Sequence, residues 1–142
     1  MDRRFLELNA LDWREMMVDS GRDDWRANWF LDGCRAQLTN TSEGMVFGAG
    51  PVVLDHASHA VLWTKQSFSG EIKIEWDYTR LDTIAKYVNI IYIQATGTGG
   101  GSCSEDIKEW ASGRQIPYMK SYFENMNLLH VSYAAHGNNE GN

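Results

Sequence analysis

Cysteine and long apolar runs are scarce in this sequence of 142 residues. The two cysteines, Cys34 and Cys103, are too few for the disulfide framework of a small secreted domain, and we interpret them as buried thiols. No segment has enough consecutive apolar residues to span a membrane, and residues 1–12 lack the apolar run of a signal peptide. We therefore expect a cytoplasmic protein with no membrane partner.

Positive charge is also scarce, with 13 Lys and Arg against 19 Asp and Glu and a formal net charge of -6. The basic residues are scattered, whereas binding of a phosphate backbone needs a basic patch. This balance argues against a nucleic-acid partner. Apolar residues make up 43% of the chain, which suffices for one domain with its own core.

The clearest pattern lies between residues 59 and 80, where a Ser-Gly turn joins two strand-like runs. Apolar and polar residues alternate strictly in the second run: one side carries Ile72, Ile74, Trp76 and Tyr78, and the other carries Lys73, Glu75, Asp77 and Thr79. Since a strand projects successive side chains to opposite faces, this pattern predicts a strand over 71–79. We predict that it forms a hairpin with 61–64, buries Trp76 and exposes the charged row.

Short runs bounded by turn residues predict further strands at 29–33, 36–40, 44–48, 87–95 and 128–135. A glycine-rich loop and two helix signals interrupt them, which indicates a helical insertion over 97–126 placed as a lid over the charged face. Residues 1–26 form a lead-in segment with one short helix, and 27–142 form the domain. We expect an all-β fold, a β-sandwich, with about seven strands, fewer than a jelly-roll or concanavalin-type sandwich usually has.

The charged row offers one candidate for chemistry. Glu75 and Asp77 are two residues apart on one face, so their carboxyls would lie roughly 6–7 Å apart by strand rise. Paired carboxylates at such a distance cleave glycosidic bonds. The Glu-x-Asp of laminarinase-type hydrolases is followed by another Glu, but Thr79 or Arg80 stands at that place here. The alternative is a solvated face on which Arg80 pairs with Asp77 or Asp82.

A second candidate combines His130 on the last strand with Tyr92 and Gln94 on the 87–95 strand. Imidazole, phenol and amide groups suit β-elimination on a uronate sugar. An amide or guanidinium neutralises the carboxylate, His130 or Tyr92 removes the acidified C–H proton, and a tyrosine protonates the leaving oxygen. The alternative is that Tyr92 and Tyr133 are core aromatics and His130 is a structural histidine.

Six tryptophans are many for a chain of this length, and aromatic faces stack on sugar C–H surfaces as well as filling cores. Trp110, on the helical insertion, is a candidate for glycan contact, with packing of that insertion against the sheet as the alternative. The predicted catalytic residues are His130 and Tyr92. The predicted substrate-binding residues are Arg80, Gln94, Glu75, Asp77, Trp110 and Tyr133.

Metal and cofactor sites are not expected. His56 and His59 have a spacing that suits a metal only if local geometry brings both rings together, and no second pair at ligand spacing accompanies them. Structural Ca²⁺ stays open, because carbonyls and scattered aspartates can supply it without a motif. The glycine-rich loop 97–102 lacks the nucleotide-binding pattern and is followed by acidic residues.

Several segments together resemble the YesU-type family, a bacterial family of domains of unknown function; they are Trp29-Phe-Leu-Asp-Gly33, Gly44-Met-Val-Phe47, 59–82, 89–97 and 130–135. The resemblance implies a concanavalin-like or galectin-like jelly-roll β-sandwich linked to the use of rhamnogalacturonan and other acidic polysaccharides. It brings no established catalytic residues. Family members continue further, so the resemblance also implies a sandwich that is incomplete at its C-terminal end.

The sequence thus predicts a carbohydrate-active protein acting on acidic plant or algal oligosaccharides by lyase chemistry. A non-catalytic, lectin-like glycan-binding module is the alternative, and a glycoside hydrolase using Glu75 and Asp77 is a weaker one. Sandwich folds host binding proteins and enzymes, so the fold does not decide between them. The sequence leaves the sugar, the linkage and the oligomeric state open.

Overall fold

The computed structural model describes residues 2–83 and 88–134. Its helices and strands are α1 (Arg3–Asn9), β1 (Trp29–Asp32), β2 (Gln37–Thr41), β3 (Gly44–Gly48), β4 (Val61–Thr64), β5 (Val88–Gly97), α2 (Met119–Asn125) and β6 (Met126–Ala134). Short 3₁₀ helices occupy Trp25–Ala27, His56–Ser58 and Ile107–Arg114. The strands form antiparallel pairs, β1 with β4, β2 with β3 and β5 with β6. The described chain is therefore rich in β-structure with few helices, as the sequence predicts.

The β2–β3 hairpin shows how local sequence specifies a turn. The Thr41 hydroxyl donates to the carbonyl of Gly44 at 2.9 Å and accepts from the amide of Glu43 at 3.2 Å. Gly44 has a φ of 136°, a region that residues with a Cβ avoid. The runs predicted at 29–33, 36–40 and 44–48 are confirmed as β1, β2 and β3 to within a residue or two.

The hairpin predicted between 61–64 and 71–79 is wrong. β4 pairs instead with β1, so that Trp63 stands opposite Phe30. Residues 71–79 form no strand and are all exposed, and Trp76, predicted to be buried, keeps 56% of its surface accessible. Alternation reports the direction of side chains along an extended chain but does not identify which segment provides the backbone partner.

Segment 71–79 contacts the rest of the fold through side chains. Its apolar row shares a groove with one face of the β5–β6 hairpin, and the lining residues are Ile72, Ile74, Trp76, Ile91, Ile93 and Val131. Ile72, Ile74 and Trp76 therefore point the same way, as alternation predicts. The predicted row exists, but it covers the hairpin only in part.

The β5–β6 hairpin is the longest pairing in the described chain, and its register changes once. Tyr92 pairs with His130 and Ile93 with Leu129, after which pairing resumes at Thr96. At the intervening bulge Gln94 has a φ of 55°, the left-handed region that non-glycine residues seldom adopt. Tyr87 and Ala135, which the sequence places in these strands, lie outside the described residues.

The core lies between β4, the other face of this hairpin and α2. Its buried apolar residues are Trp63, Tyr122 and Met126. Tyr122 is fully buried and comes from the insertion 97–126, which also holds the 3₁₀ helix Ile107–Arg114. The insertion thus supplies part of the core. The sequence predicts it as a lid over the charged face of a strand at 71–79, but that strand does not form.

Neither cysteine forms a disulfide. Cys34 is exposed and Cys103 is partly exposed, so the prediction of buried thiols is wrong and that of free thiols is confirmed. No helix in the part of the chain that the structure describes is long and apolar enough to cross a membrane.

Candidate functional site

The structure brings the two predicted catalytic residues together. Tyr92 and His130 are cross-strand partners, with ring centroids 6.4 Å apart and ring planes at 64°. Directly opposite residues of an antiparallel pair project from the same face. His130 is exposed at that face, whereas Tyr92 extends into the core and is partly buried.

The surroundings of Tyr92 are those of a core aromatic. Its ring stacks against Trp63 at 5.4 Å and against Tyr122 at 5.9 Å between centroids. Its hydroxyl donates to the sulfur of Met119 at 3.6 Å. Burial raises the pKa of Tyr92, because an ionised phenolate would lose its hydration there. The phenol is therefore held neutral, and α2 must shift before it can reach a sugar.

His130 is in the middle of β6 and lies beside α2. Its ring centroid is 5.5 Å from that of Phe123, which is 50% exposed. Gln94 is exposed at the bulge beyond Tyr92. The backbone of Tyr133 pairs with Asn89, and the side chain of Tyr133 lies outside the described residues.

The predicted carboxylates lie on the other side of the hairpin. Glu75 forms an ion pair with Lys73 at 3.0 Å, and Asp77 is exposed. Arg80 forms an ion pair with Asp82 at 2.8 Å, one of the two pairings weighed from the sequence. Because segment 71–79 lies against the face opposite the Tyr92 face, the structure divides the predicted site residues between two surfaces.

Trp110 packs the 3₁₀ helix Ile107–Arg114 against the core. Its indole nitrogen donates to the carbonyl of Ser104 at 2.9 Å. The guanidinium carbon of Arg114 lies 4.2 Å from the ring centroid, in a cation–π contact that occupies one face of the indole. The geometry of Trp110 is thus that of the packing alternative.

Sequence reasoning did not find a buried polar cluster around Asp32. One carboxylate oxygen, Oδ2, accepts from Nε1 of Trp63 at 2.7 Å, from Nε of Arg114 at 2.6 Å and from the Tyr122 hydroxyl at 3.0 Å. Arg114 also donates through Nη2 to the carbonyl of Ile107 at 2.9 Å. The sequence signal for this cluster was the aspartate that ends the apolar run of β1. A carboxylate buried at that position needs hydrogen-bond donors or a positive charge beside it.

The cluster is sealed from solvent. Asp32 is 0% exposed and Arg114 is 2% exposed, and one atom of each, Oδ1 and Nη1, has no hydrogen-bond partner among the residues that the structure describes. Burial raises the pKa of Tyr122 strongly, and the negative charge of Asp32 raises it further. Because nothing from outside can reach these groups, their role is to join β1, β4, the 3₁₀ helix and α2.

The two histidines of the 3₁₀ helix His56–Ser58 and its C-cap come together as a pair. The ring centroids of His56 and His59 are 5.2 Å apart, and Nδ1 of His59 is 3.1 Å from the carbonyl of Pro117. A carbonyl only accepts, so Nδ1 carries the proton. Within residues 2–83 and 88–134 no group of three or more His, Cys, Asp or Glu is arranged to hold a metal ion.

The groove beneath segment 71–79 is lined by apolar residues. Its volume is about 280 Å³, and its floor is formed by aliphatic residues of β5, β6 and the segment itself. Trp76 borders it with half of its surface accessible, and Lys73 and Glu75 stand on the outward row. An exposed apolar surface with polar neighbours is typical of a binding site.

Comparison of the sequence with protein-family models, with curated proteins and with solved structures gives no significant match. The resemblance to the YesU-type family therefore rests on the sequence segments quoted above.

Proposed function

We propose that this chain is a carbohydrate-binding module that holds an oligosaccharide in the groove beside Trp76. A sugar ring has an apolar C–H face and an edge of hydroxyl groups. The half-exposed indole and the aliphatic floor suit the first, while Lys73 and Glu75, on the outward row of the same segment, offer a donor and an acceptor to hydroxyl groups that extend beyond the groove. The accessible indole of Trp76 is the observation that carries the proposal.

The family resemblance gives the class of ligand, acidic plant or algal oligosaccharides, and the finer architecture, a concanavalin-like sandwich. The β5–β6 hairpin supports that architecture. One of its faces packs in the core, and the other is apolar, with Leu129 61% and Val131 54% exposed. In a sandwich, such a face packs against a second sheet about 10 Å away.

Calorimetric titration with pectic and algal uronate oligosaccharides tests the binding proposal. We expect the wild-type chain to bind at least one of them and Trp76→Ala to bind about tenfold more weakly or not at all, a loss of about 1.4 kcal/mol or more. Trp13→Ala is the matched control, because the Trp13 indole bonds to the Leu8 carbonyl in the lead-in segment. Equal affinity in Trp76→Ala, or no binding by the wild type, would contradict the proposal.

Lyase chemistry is a second candidate, and the pairing of Tyr92 with His130 favours it. In that reaction the imidazole removes the proton on the carbon next to the uronate carboxylate. The C–H electrons form the new C=C bond as the glycosidic C–O bond breaks, and the tyrosine protonates the departing oxygen. The step needs the Tyr92 hydroxyl to leave the Met119 sulfur.

Absorbance of the unsaturated product measures this activity directly. If the chain is a lyase, His130→Ala and Tyr92→Phe should each lower turnover by about 10²-fold or more while the circular dichroism spectrum stays unchanged. If the wild type binds an oligosaccharide and forms no unsaturated product, the chain binds glycans without cleaving them. Loss of turnover in Trp76→Ala alone would place the chemistry in the groove instead.

A further inference from the structure

Segment 71–77 has the side-chain pattern of a strand but lacks a backbone partner. Within the described residues, the amides and carbonyls of 71–77 make no hydrogen bond with other backbone groups. Extended backbone with free donors and acceptors is a template for pairing with another strand. Its alternation into an apolar and a charged row makes any such pairing sensitive to register.

We propose that two copies of this chain associate by antiparallel pairing of their 71–77 segments, with Ile74 on the two-fold axis. In this register Lys73 of one copy stands opposite Glu75 of the other, twice, and Ile72 stands opposite Trp76, also twice. Opposite charges and aromatic–aliphatic contacts at directly opposed positions stabilise such a pair. The same surface serves both copies, as a two-fold interface requires.

The charges of the segment disfavour most neighbouring registers. Centring the pair on Ile72 also sets Lys73 opposite Glu71, but it places Gly70 opposite Ile74 and leaves Glu75 without an opposite charge. Centring the pair on Lys73 or on Glu75 places that residue opposite its own charge. Centring it on Trp76 places Glu75 opposite Asp77, and a shift by one residue sets the charged row against the apolar row. The Ile74 register keeps one like-charge contact, Glu71 with Asp77 at each open end, where solvent screens it.

Charge reversal provides the test, read by light scattering after size-exclusion chromatography from micromolar to millimolar concentrations. We expect the wild type to dimerise with rising concentration, and both Lys73→Glu and Glu75→Lys to stay monomeric because like charges then face each other. Mixing the two variants should form a mixed dimer, since each Glu then faces a Lys. Mixing cannot restore the 3.0 Å ion pair that joins Lys73 and Glu75 within one chain, so it isolates the contact between copies.

Lys120→Glu and Glu124→Lys are the matched controls, because these residues form another exposed ion pair, at 3.3 Å on α2. We expect both controls to dimerise like the wild type. A wild type that stays monomeric throughout, or a mixture of the Lys73 and Glu75 variants that stays monomeric, would overturn the proposal. Light scattering is measured without oligosaccharide, so dimerisation is tested separately from glycan binding.

Cross-linking tests the register itself. In a chain with Cys34→Ser and Cys103→Ser, Ile74→Cys should oxidise to a disulfide-linked dimer, because the residue on the axis faces its own copy. Ile72→Cys should cross-link poorly, since it faces Trp76. Efficient cross-linking through position 72 and none through position 74 would exclude the Ile74 register.

Discussion

Asp32 and Arg114 are 82 positions apart in the chain and form an ion pair of 2.6 Å in the interior. This contact joins the end of β1 to the 3₁₀ helix Ile107–Arg114. Taking two charges out of water costs several kcal/mol each, which the contact recovers only with good geometry and further hydrogen bonds. Trp63 and Tyr122 supply those bonds to the carboxylate, so the pair links four elements of the fold.

Removing one charge of this pair should destabilise the protein strongly. We expect Asp32→Asn to lower the free energy of unfolding by about 3–5 kcal/mol, because the Arg114 guanidinium then stays buried without a counter-charge. The double variant Asp32→Asn/Arg114→Met should be more stable than Asp32→Asn alone, since the unpaired charge is gone. Urea unfolding measures both.

An exposed ion pair serves as the control for this prediction. Lys120 and Glu124 on α2 are 63% and 59% exposed, and Lys120→Ala should cost less than about 0.5 kcal/mol. If Asp32→Asn costs no more than Lys120→Ala, the buried pair does not stabilise the fold in the way we infer.

The hydroxyl of Tyr122 should make stability depend on alkaline pH. Burial, and then the charge of Asp32, raise the pKa of Tyr122 above its ordinary value of 10.0. Above that pH the unfolded chain loses the tyrosine proton while the folded chain keeps it, so stability present below about pH 10 is lost as pH rises. The loss should approach about 1.4 kcal/mol per pH unit for this group.

Tyr122→Phe isolates that effect. The variant should be less stable than the wild type by about 0.5–1.5 kcal/mol near pH 8, because it lacks the bond to Asp32. As phenylalanine does not titrate, the difference should shrink above about pH 10. Urea unfolding of both proteins across this range measures it, and a difference that stays constant would contradict the raised pKa.

Local signals predicted the strands better than their partners. Turn residues and alternation identify β1, β2, β3, β5 and β6 because these features depend on neighbours in sequence. The pairing of β4 with β1 depends on contacts such as Trp63 with Phe30, which are 33 residues apart in numbering and leave no local pattern. Alternation at 71–79 suggested a hairpin with β4, but it could not show that β4 pairs with β1 instead.

The candidate site was predictable to a similar extent. The pairing of Tyr92 with His130 follows from two strands that the sequence identifies, and Arg80 with Asp82 from local spacing. The Asp32–Arg114 contact brings a strand end to a distant helix, so neither residue signals the other in sequence. The exposure of Trp76 was missed because alternation gives the row a direction without saying how completely it is covered.

Two tryptophans should respond very differently to truncation. Trp63 is 6% exposed, stacks with Tyr92 and bonds to Asp32, so Trp63→Ala should cost about 3–5 kcal/mol. Trp76 is 56% exposed, and Trp76→Ala should cost less than about 1 kcal/mol. Thermal unfolding in dilute solution tests this contrast. If Trp76→Ala lowers the free energy of unfolding as much as Trp63→Ala does, Trp76 is a core residue.

Gly97 should tolerate no side chain, because it ends β5 where the loop returns closely upon it. A Cβ at this position would lie 1.9 Å from the carbonyl oxygen of Ser104 and 2.6 Å from that of Cys103. These neighbours are backbone atoms that cannot rotate away, and the Gly97 amide also bonds to the Glu105 carbonyl at 3.1 Å. We expect Gly97→Ala to lower the free energy of unfolding by about 1–3 kcal/mol.

Gly113 provides the matched control on the same insertion. No heavy atom lies within 4 Å of a Cβ built there, and its backbone is outside the left-handed region. Gly113→Ala should therefore leave stability unchanged or raise it by about 0.4–1 kcal/mol, since alanine reduces the freedom of the unfolded chain. Urea unfolding compares the two variants. Because the clash at Gly97 would displace the loop that leads to Trp110 and Arg114, equal stabilities would mean that this loop does not hold the insertion against β5.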